Sequence, residues 1–219
     1  MFENFYLKEL YPLQDRILSL INTLGTNFYL TGGTALSRCY VHHRYSDDLD
    51  FFVNDNSAFS EEALRIQEEL HNSFDIEIQR VSERFRRLFI HHKTCSLKIE
   101  FINDVPAHFG ELQTWKNFST VDNPLNILSN KITAVMDRDE VKDFADIFAI
   151  TYFLGGINWR EMFVSASSKS AGIFAPLFAE RLANFDFNRL EQIIWYKDYD
   201  WKVLDNKRNE ILDSIVGLR

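Results

Sequence analysis

The stretch FYLTGGTALSRCYVHHRYSDDLDFF, Phe28 to Phe52, sets paired glycines at the end of one apolar run and two acids, Asp48 and Asp50, at the head of another. Phe28 to Leu30 reads as a short buried strand. Gly32 and Gly33 then turn the chain, and Thr34 stands as the cap of a helix reaching about His43. A strand-to-helix turn of this kind offers backbone N–H groups to a phosphate, because glycine has no Cβ in the way and a helix start has unpaired donors. An ordinary structural turn uses the same residues, so the glycines alone do not decide.

The acids carry more information. In DLDFFV, read as a strand, Asp48 and Asp50 project from one face while Leu49 and Phe51 point to the other. Two carboxylates held together repel unless a cation lies between them, and hard oxygen donors suit Mg²⁺ bridging to substrate phosphates. The competing reading is a solvated strand face running into the loop NDN. In SLKIEFI, Glu100 stands between Ile99 and Phe101 and shares its strand face with Lys98. If that strand lies beside the one bearing Asp48 and Asp50, three carboxylates meet next to the glycine turn, as two-metal phosphoryl or nucleotidyl transfer requires.

Outward from this stretch, Leu10, Leu13, Ile17, Leu18, Ile21 and Leu24 recur at helical spacing and predict an amphipathic helix over 5–24, ended by Gly25. SEEALRIQEELHNS predicts a helix capped by Ser60. Three β-like runs follow at 75–81, 86–92 and 96–102. Pro106, Gly110 and Pro124 punctuate a stretch without periodicity at 105–123, where a boundary is expected. From Pro124 the pattern is helical, with segments at PLNILSNKITAVMDR, at VKDFADIFAITYFL, and near Asn158, Ala175, Phe187 and Lys202; Gly155 and Gly156 break it once.

The 219 residues are 46% hydrophobic, enough for a sizeable core. Thirty-two acids against 24 Lys and Arg give a formal charge of −8, which excludes the broad basic footprint of a general nucleic-acid binder. Cys39 and Cys95 are far apart with no CxxC pair, so neither a disulfide framework nor a zinc site is expected, and reduced thiols in a cytoplasm fit best. The start MFENFYLKEL lacks a signal-peptide pattern, and no run of 18 apolar residues predicts a membrane span. His42-His43 and His91-His92 are adjacent pairs whose rings diverge and cannot easily grip one ion. The run RVSERFRRLFIHHK gathers Arg80, Arg84, Arg86, Arg87 and Lys93, either an RNA-backbone contact or solvated charge on a hairpin. Trp195 and Trp201 near the end read as packing residues.

Gly32-Gly33, Asp48-Leu49-Asp50 and Ile99-Glu100-Phe101, in that order, resemble the nucleotidyltransferase signature of the DNA polymerase β superfamily. More narrowly, LTGGTALSR…RYSDDLDFF followed by NKITAVMDRDEVKDFADIFAI is similar to the AbiEii/AbiGii-type nucleotidyltransferases, toxins of bacterial toxin–antitoxin pairs. The resemblance covers roughly residues 28–153. It implies an α+β fold in which a mixed sheet flanked by helices forms a nucleotidyltransferase core over residues 1–110, and a helical C-terminal region over 111–219 completes the cleft.

It also implies a metal-dependent transfer of a nucleoside monophosphate from an NTP to a hydroxyl acceptor, tRNA or protein, with an antitoxin protein as partner and no membrane. Asp48, Asp50 and Glu100 would be the catalytic residues and hold two Mg²⁺. Gly32, Gly33, Thr34, Arg44, Ser46 and Lys131 would bind the nucleotide, with Lys131 on the triphosphate. Arg138, Lys142, Asp143 and Asp146 fall on a second family motif, against which stands the reading of a helix with charges on its wet face. A nucleotide-binding module without transfer, acting through a partner, and an antibiotic-type nucleotidyltransferase are the rival functions.

Overall fold

The computed structural model describes residues 2–115, 119–197 and 200–218. Its strands are β1 Tyr29–Thr31, β2 Leu49–Asn54, β3 Asp75–Ser82, β4 Phe85–His92, β5 Cys95–Asp104, β6 Gln113–Trp115 and β7 Ser119–Val121. Among the described residues they make one mixed seven-stranded sheet in the order β3-β4-β5-β2-β1-β7-β6. The three β-like runs become β3, β4 and β5, joined antiparallel, with Arg87 opposite Glu100. β5 then runs parallel to β2 with Asp50 opposite Glu100 and Phe51 opposite Phe101. β1 joins the other edge of β2 antiparallel, Thr31 opposite Asp50.

Period-two alternation divides the sheet into two faces. Leu30, Leu49, Phe51, Val53, Leu88, Ile90, Leu97, Ile99 and Phe101 are buried on one of them. Helices α2 (Tyr11–Thr23) and α4 (Phe59–Ser73) supply Leu13, Ile17, Leu18, Ile21, Phe59, Ala63, Ile66 and Leu70 to the same core. Phe28 links the layers, its ring 5.8 Å from Phe59 and 5.1 Å from Phe101. Completely burying side chains of this size contributes about 1.5–3 kcal/mol each. The opposite face carries Thr31, Asp50, Lys98, Glu100 and Arg87.

Two compact units divide the chain. The first holds Met1–Ala35, Ser46–Pro106 and Glu111–Asp122; the second holds Leu36–Tyr45, Ala107–Gly110 and Asn123–Arg219. The first contains the sheet, α2, α4, the short helix α1 (Phe2–Phe5), which reaches α2 through a π-helical segment Tyr6–Leu10, and α3 (Gly32–Ala35). The second contains α5 (Pro124–Asp137), α6 (Val141–Leu154), α7 (Trp159–Lys169), α8 (Ala175–Ala183), a 3₁₀ segment Phe187–Gln192 and α9 (Trp201–Ile215). Every residue from Asp143 to Thr151 in α6 is buried, so this helix runs through a core built with Ile127, Ile132, Met162, Phe178, Leu204 and Ile211.

Several local expectations change. The helix after β1 begins at Gly32, whose φ is +71°, and continues from Ala35 as the π-helical segment Leu36–Val41. Thr34 is therefore inside the helix and caps nothing. α4 starts one residue before Ser60, with Ala58 at its cap position and no side-chain cap bond; Asn56 Oδ1 accepts from the Ala58 N–H instead. The stretch 105–123 contains β6 and β7, each three residues long and too short to show alternation. α5 is capped by Asn123, whose Oδ1 accepts from the Asn126 N–H, with Pro124 at the first position.

Candidate active site on the sheet and a buried ion network

In the first unit the glycine turn meets the acids closely. A Cβ on Gly32 would lie 2.7 Å from Asp50 Oδ2, so this position admits no side chain while the carboxylate stays where it is, and its positive φ also demands glycine. The buried Thr34 hydroxyl meets Ser46 Oγ at 2.9 Å and donates to the Asp48 carbonyl. Gln14 donates to the carbonyls of Ser46 and Asp47 at 3.2 and 3.0 Å, and the Tyr11 hydroxyl accepts from the Ser46 N–H. The lead-in to β2 is strapped at three consecutive residues, which fixes where Asp48 and Asp50 enter the sheet. Thr31, just before the turn, donates to Asp122 Oδ2 at 2.6 Å.

Asp48, Asp50 and Glu100 are each partly exposed. Two cations lie on the same face. Lys98 Nζ is 2.9 Å from Asp48 Oδ2 and 3.8 Å from Glu100 Oε2. Arg87 holds Glu100 Oε1 through Nε at 2.5 Å. Burial works against the Lys98 charge, but Asp48, Glu100 and Asp50 outweigh it and raise its pKa. Among the described residues no three Asp, Glu, His or Cys side chains form a ready-made metal-ligand group. Strand register pairs Asp50 with Glu100, and Asp48, one residue ahead of β2, turns with Glu100 towards Lys98.

In the second unit, Arg44, Lys131, Arg138, Asp143 and Asp146 form one network. Arg44 grips Asp146 with two bonds, Nε to Oδ1 at 2.7 Å and Nη2 to Oδ2 at 3.0 Å. Lys131 Nζ lies 2.8 Å from Asp143 Oδ1 and 2.7 Å from Asp146 Oδ2. Arg138 closes the far side, its Nε donating to Asp143 Oδ2 at 2.8 Å. Both Asp side chains are completely buried. Burial pushes the Asp146 carboxyl up, but Arg44 and Lys131 hold it well below the usual carboxylate range. Asp143 is lowered in the same way, Lys131 prevailing over burial. Lys142 is outside the network, 3.0 Å from Glu140 at the surface.

His43 joins this network, a role its pairing with His42 did not announce. Its Nε2 is 2.8 Å from Asp146 Oδ1, while Nδ1 is buried without a partner. Burial lowers its pKa despite the Asp146 bond. The neutral ring therefore carries its hydrogen on Nε2 and donates it to the carboxylate, which can only accept. Residues 43–45 are held by backbone bonds to 194–196, Tyr45 N–H to Ile194 and Tyr196 N–H to His43. Tyr45 stacks on Tyr196 at 4.1 Å.

The arginine run is divided rather than pooled. Arg84 binds Asp55 and the carbonyls of Asn103 and Asp104, Arg86 binds Gln67, and Arg87 binds Glu100. Burial raises the Cys39 thiol to about 12, as befits a packed residue. Trp195 is a packing residue whose Nε1 donates to the Leu190 carbonyl; the Trp201 side chain lies outside the described residues. No described helix is long and apolar enough to cross a membrane.

No curated protein sequence matches the chain. Solved structures do. JHP933 from Helicobacter pylori is 18% identical, covers 94% of this chain and 90% of its own, and superposes with a TM-score of 0.64. A second Helicobacter pylori structure is 18% identical over 97% of this chain and 98% of its own, at 0.61. The antibiotic-resistance factor ANT(2″)-Ia is 12% identical over 72% and 91%, at 0.53. At these identities the likeness carries the fold. The family model described as nucleotidyl transferase AbiEii toxin, type IV toxin–antitoxin system, matches residues 16–202. That span takes in the glycine turn, the sheet acids and the buried network together, and the chain belongs to the AbiEii nucleotidyl transferase toxin family.

Proposed function

We propose that the polar face around Asp48, Asp50 and Glu100 transfers a nucleoside monophosphate from an NTP to a hydroxyl acceptor on RNA or protein, with Mg²⁺ held by these acids. One observation carries the reading: Asp50 and Glu100 are direct partners on adjacent parallel strands, and the turn before them has no room for a Cβ beside Asp50. The donors are all carboxylate oxygens, the set that Mg²⁺ prefers, and the face already draws a positive charge, Lys98, to Asp48. The residues therefore fit the metal chemically. Bound there, it would neutralise charge on the phosphoryl oxygens.

The chain's own groups have separate tasks in this proposal. The turn at Gly32 and Gly33 lets backbone N–H groups approach the phosphates. Thr34, Ser46 and Gln14 hold the strand entrance that aims Asp48. The acceptor oxygen forms a bond to the α-phosphorus, the bond to the pyrophosphate oxygen breaks, and the hydroxyl proton passes to the Glu100 carboxylate, which Arg87 orients. Incubation with each α-labelled NTP, Mg²⁺ and total bacterial RNA or protein is expected to label one acceptor class, and Asp48→Ala to abolish the label. NTP binding without transfer to either class would replace this reading by the binding module.

Arg44 and Lys131 are phosphate contacts by the family resemblance alone, since both are buried and ion-paired with Asp146 or Asp143, and a phosphate would have to compete with those carboxylates. Lys131→Arg keeps the charge beside Asp143 and Asp146: a raised KM for NTP at an unchanged melting temperature supports the contact, and an unchanged KM removes it. The type IV system named for the family supports an antitoxin partner, which is expected to restore growth of cells expressing this chain.

A further inference from the structure

Lys98 belongs to no motif that the family resemblance supplied, yet it is the cation nearest to Asp48. It sits two residues before Glu100 on the same face of β5, and its ammonium bridges Asp48 Oδ2 and Glu100 Oε2 across adjacent elements. Arg87 takes the other Glu100 oxygen, Oε1. Lys98 thus covers one oxygen of each carboxylate, Asp48 Oδ2 and Glu100 Oε2. Two carboxylates so placed repel when no cation lies between them. The Lys98 side chain is 25% exposed and joined to the sheet by a flexible four-carbon stem, so its head can leave without opening the core.

We infer that Lys98 is an internal cation that competes with the divalent metal for Asp48 and Glu100, so that metal binding is a displacement. This rests on the metal-dependent reading above. The lysine keeps the acids together when no metal is bound and sets the metal concentration at which the site loads. Arginine in its place, with a planar fork that grips carboxylates in pairs, makes a stronger competitor; an apolar residue of similar length makes none.

Mn²⁺ binding to the nucleotide-free chain, read by loss of the free-ion paramagnetic resonance signal at fixed pH and ionic strength, tests this without reference to activity. Lys98→Met is expected to bind roughly fivefold more tightly than the natural chain, the range of a partly exposed ion pair, and Lys98→Arg more weakly. Thermal melting adds a second measure: Lys98→Met melts lower than the natural chain without metal and recovers with saturating Mn²⁺. Asp48→Asn reports on the site itself. If the natural chain binds Mn²⁺ and Asp48→Asn does not, while Lys98→Met binds no more tightly, the displacement idea is overturned and the metal site stands. If no variant binds Mn²⁺, the metal-dependent reading falls and takes this inference with it.

Discussion

The two charged clusters use the same residue types to opposite ends. On the sheet face, Asp48, Asp50 and Glu100 lie beside Lys98 and Arg87, and all of these side chains are partly exposed. In the helical unit, Asp143 and Asp146 are completely buried and meet Arg44, Lys131 and Arg138, the last of which also lies 3.9 Å from Glu140. Water can screen and rearrange the first set. The second reaches water mainly through Arg138, whose side chain is half exposed, and each oxygen of Asp143 and Asp146 is matched by a cation or a ring N–H. A half-open group of charges can accept a ligand; a group built on completely buried carboxylates fixes the position of the segments that carry it.

If this contrast is right, the largest effect comes from breaking the buried set. Asp146→Ala strands Arg44 and Lys131 in a core with one carboxylate fewer, and is expected to destabilise the chain by about 3–5 kcal/mol, read from the urea midpoint. A loss below about 1 kcal/mol would show that the network is wetter than its burial implies. The sheet face is expected to respond in the other quantity. Asp50→Asn keeps the size and polarity of a partly exposed side chain, so stability changes by less than about 0.5 kcal/mol, while transfer falls at least about a hundredfold. Comparable losses of stability in both variants would erase the distinction between the clusters.

The contrast also explains what was legible in the sequence. β3, β4 and β5 were readable because two-residue alternation is written locally and tight turns separate them, and the pairing of Glu100 with Asp50 followed once those strands were neighbours. β6 and β7 were not readable, because three residues hold too little pattern. Thr34 looked like a cap because hydroxyls favour helix starts, but Gly32 begins the helix and the hydroxyl is taken by the Asp48 carbonyl fourteen residues away. The ion network joins His43 and Arg44 to Asp146 over a hundred positions apart in the chain. Spacing along a helix reveals which charges share a stripe, but not that the stripe is buried. One local sign existed: Asp143 and Asp146 lie in the apolar run VKDFADIFAITYFL, where a carboxylate must find a cation.

Gly32 sharpens the comparison from the backbone side. Alanine there must hold φ near +71° and put its Cβ 2.7 Å from Asp50 Oδ2. The backbone strain costs about 1 kcal/mol. The carboxylate, being at the end of a side chain, turns aside to make room, so the damage falls on geometry and transfer drops roughly tenfold. Unchanged activity in Gly32→Ala would mean that the place of Asp50 beside the turn is incidental.

The smallest effect is one of pH, and it isolates a single group in the buried set. His43 is held neutral by burial, although Asp146 bonds to it and pulls the other way; Arg44 and Lys131 nearby add to the resistance. Its folded pKa is therefore below the ordinary value of 6.5. As pH falls through 6.5 the unfolded chain takes a proton that the folded chain refuses, so stability falls with pH, at a limiting slope of about 1.4 kcal/mol per unit. The carboxylates cannot cause this. Asp143 and Asp146 have lowered pKa values, and their stabilisation is lost only as pH falls below the usual carboxylate range. His43→Gln keeps an N–H for Asp146 Oδ1 but cannot titrate. The natural chain is expected to be the more stable at pH 7, and its advantage over His43→Gln to shrink by about 1 kcal/mol between pH 7 and pH 5, measured by urea denaturation at both. A constant difference would show that His43 takes up its proton in the folded state, which would require water or rearrangement at the buried Nδ1 and would make the network a titrating site instead of a fixed one.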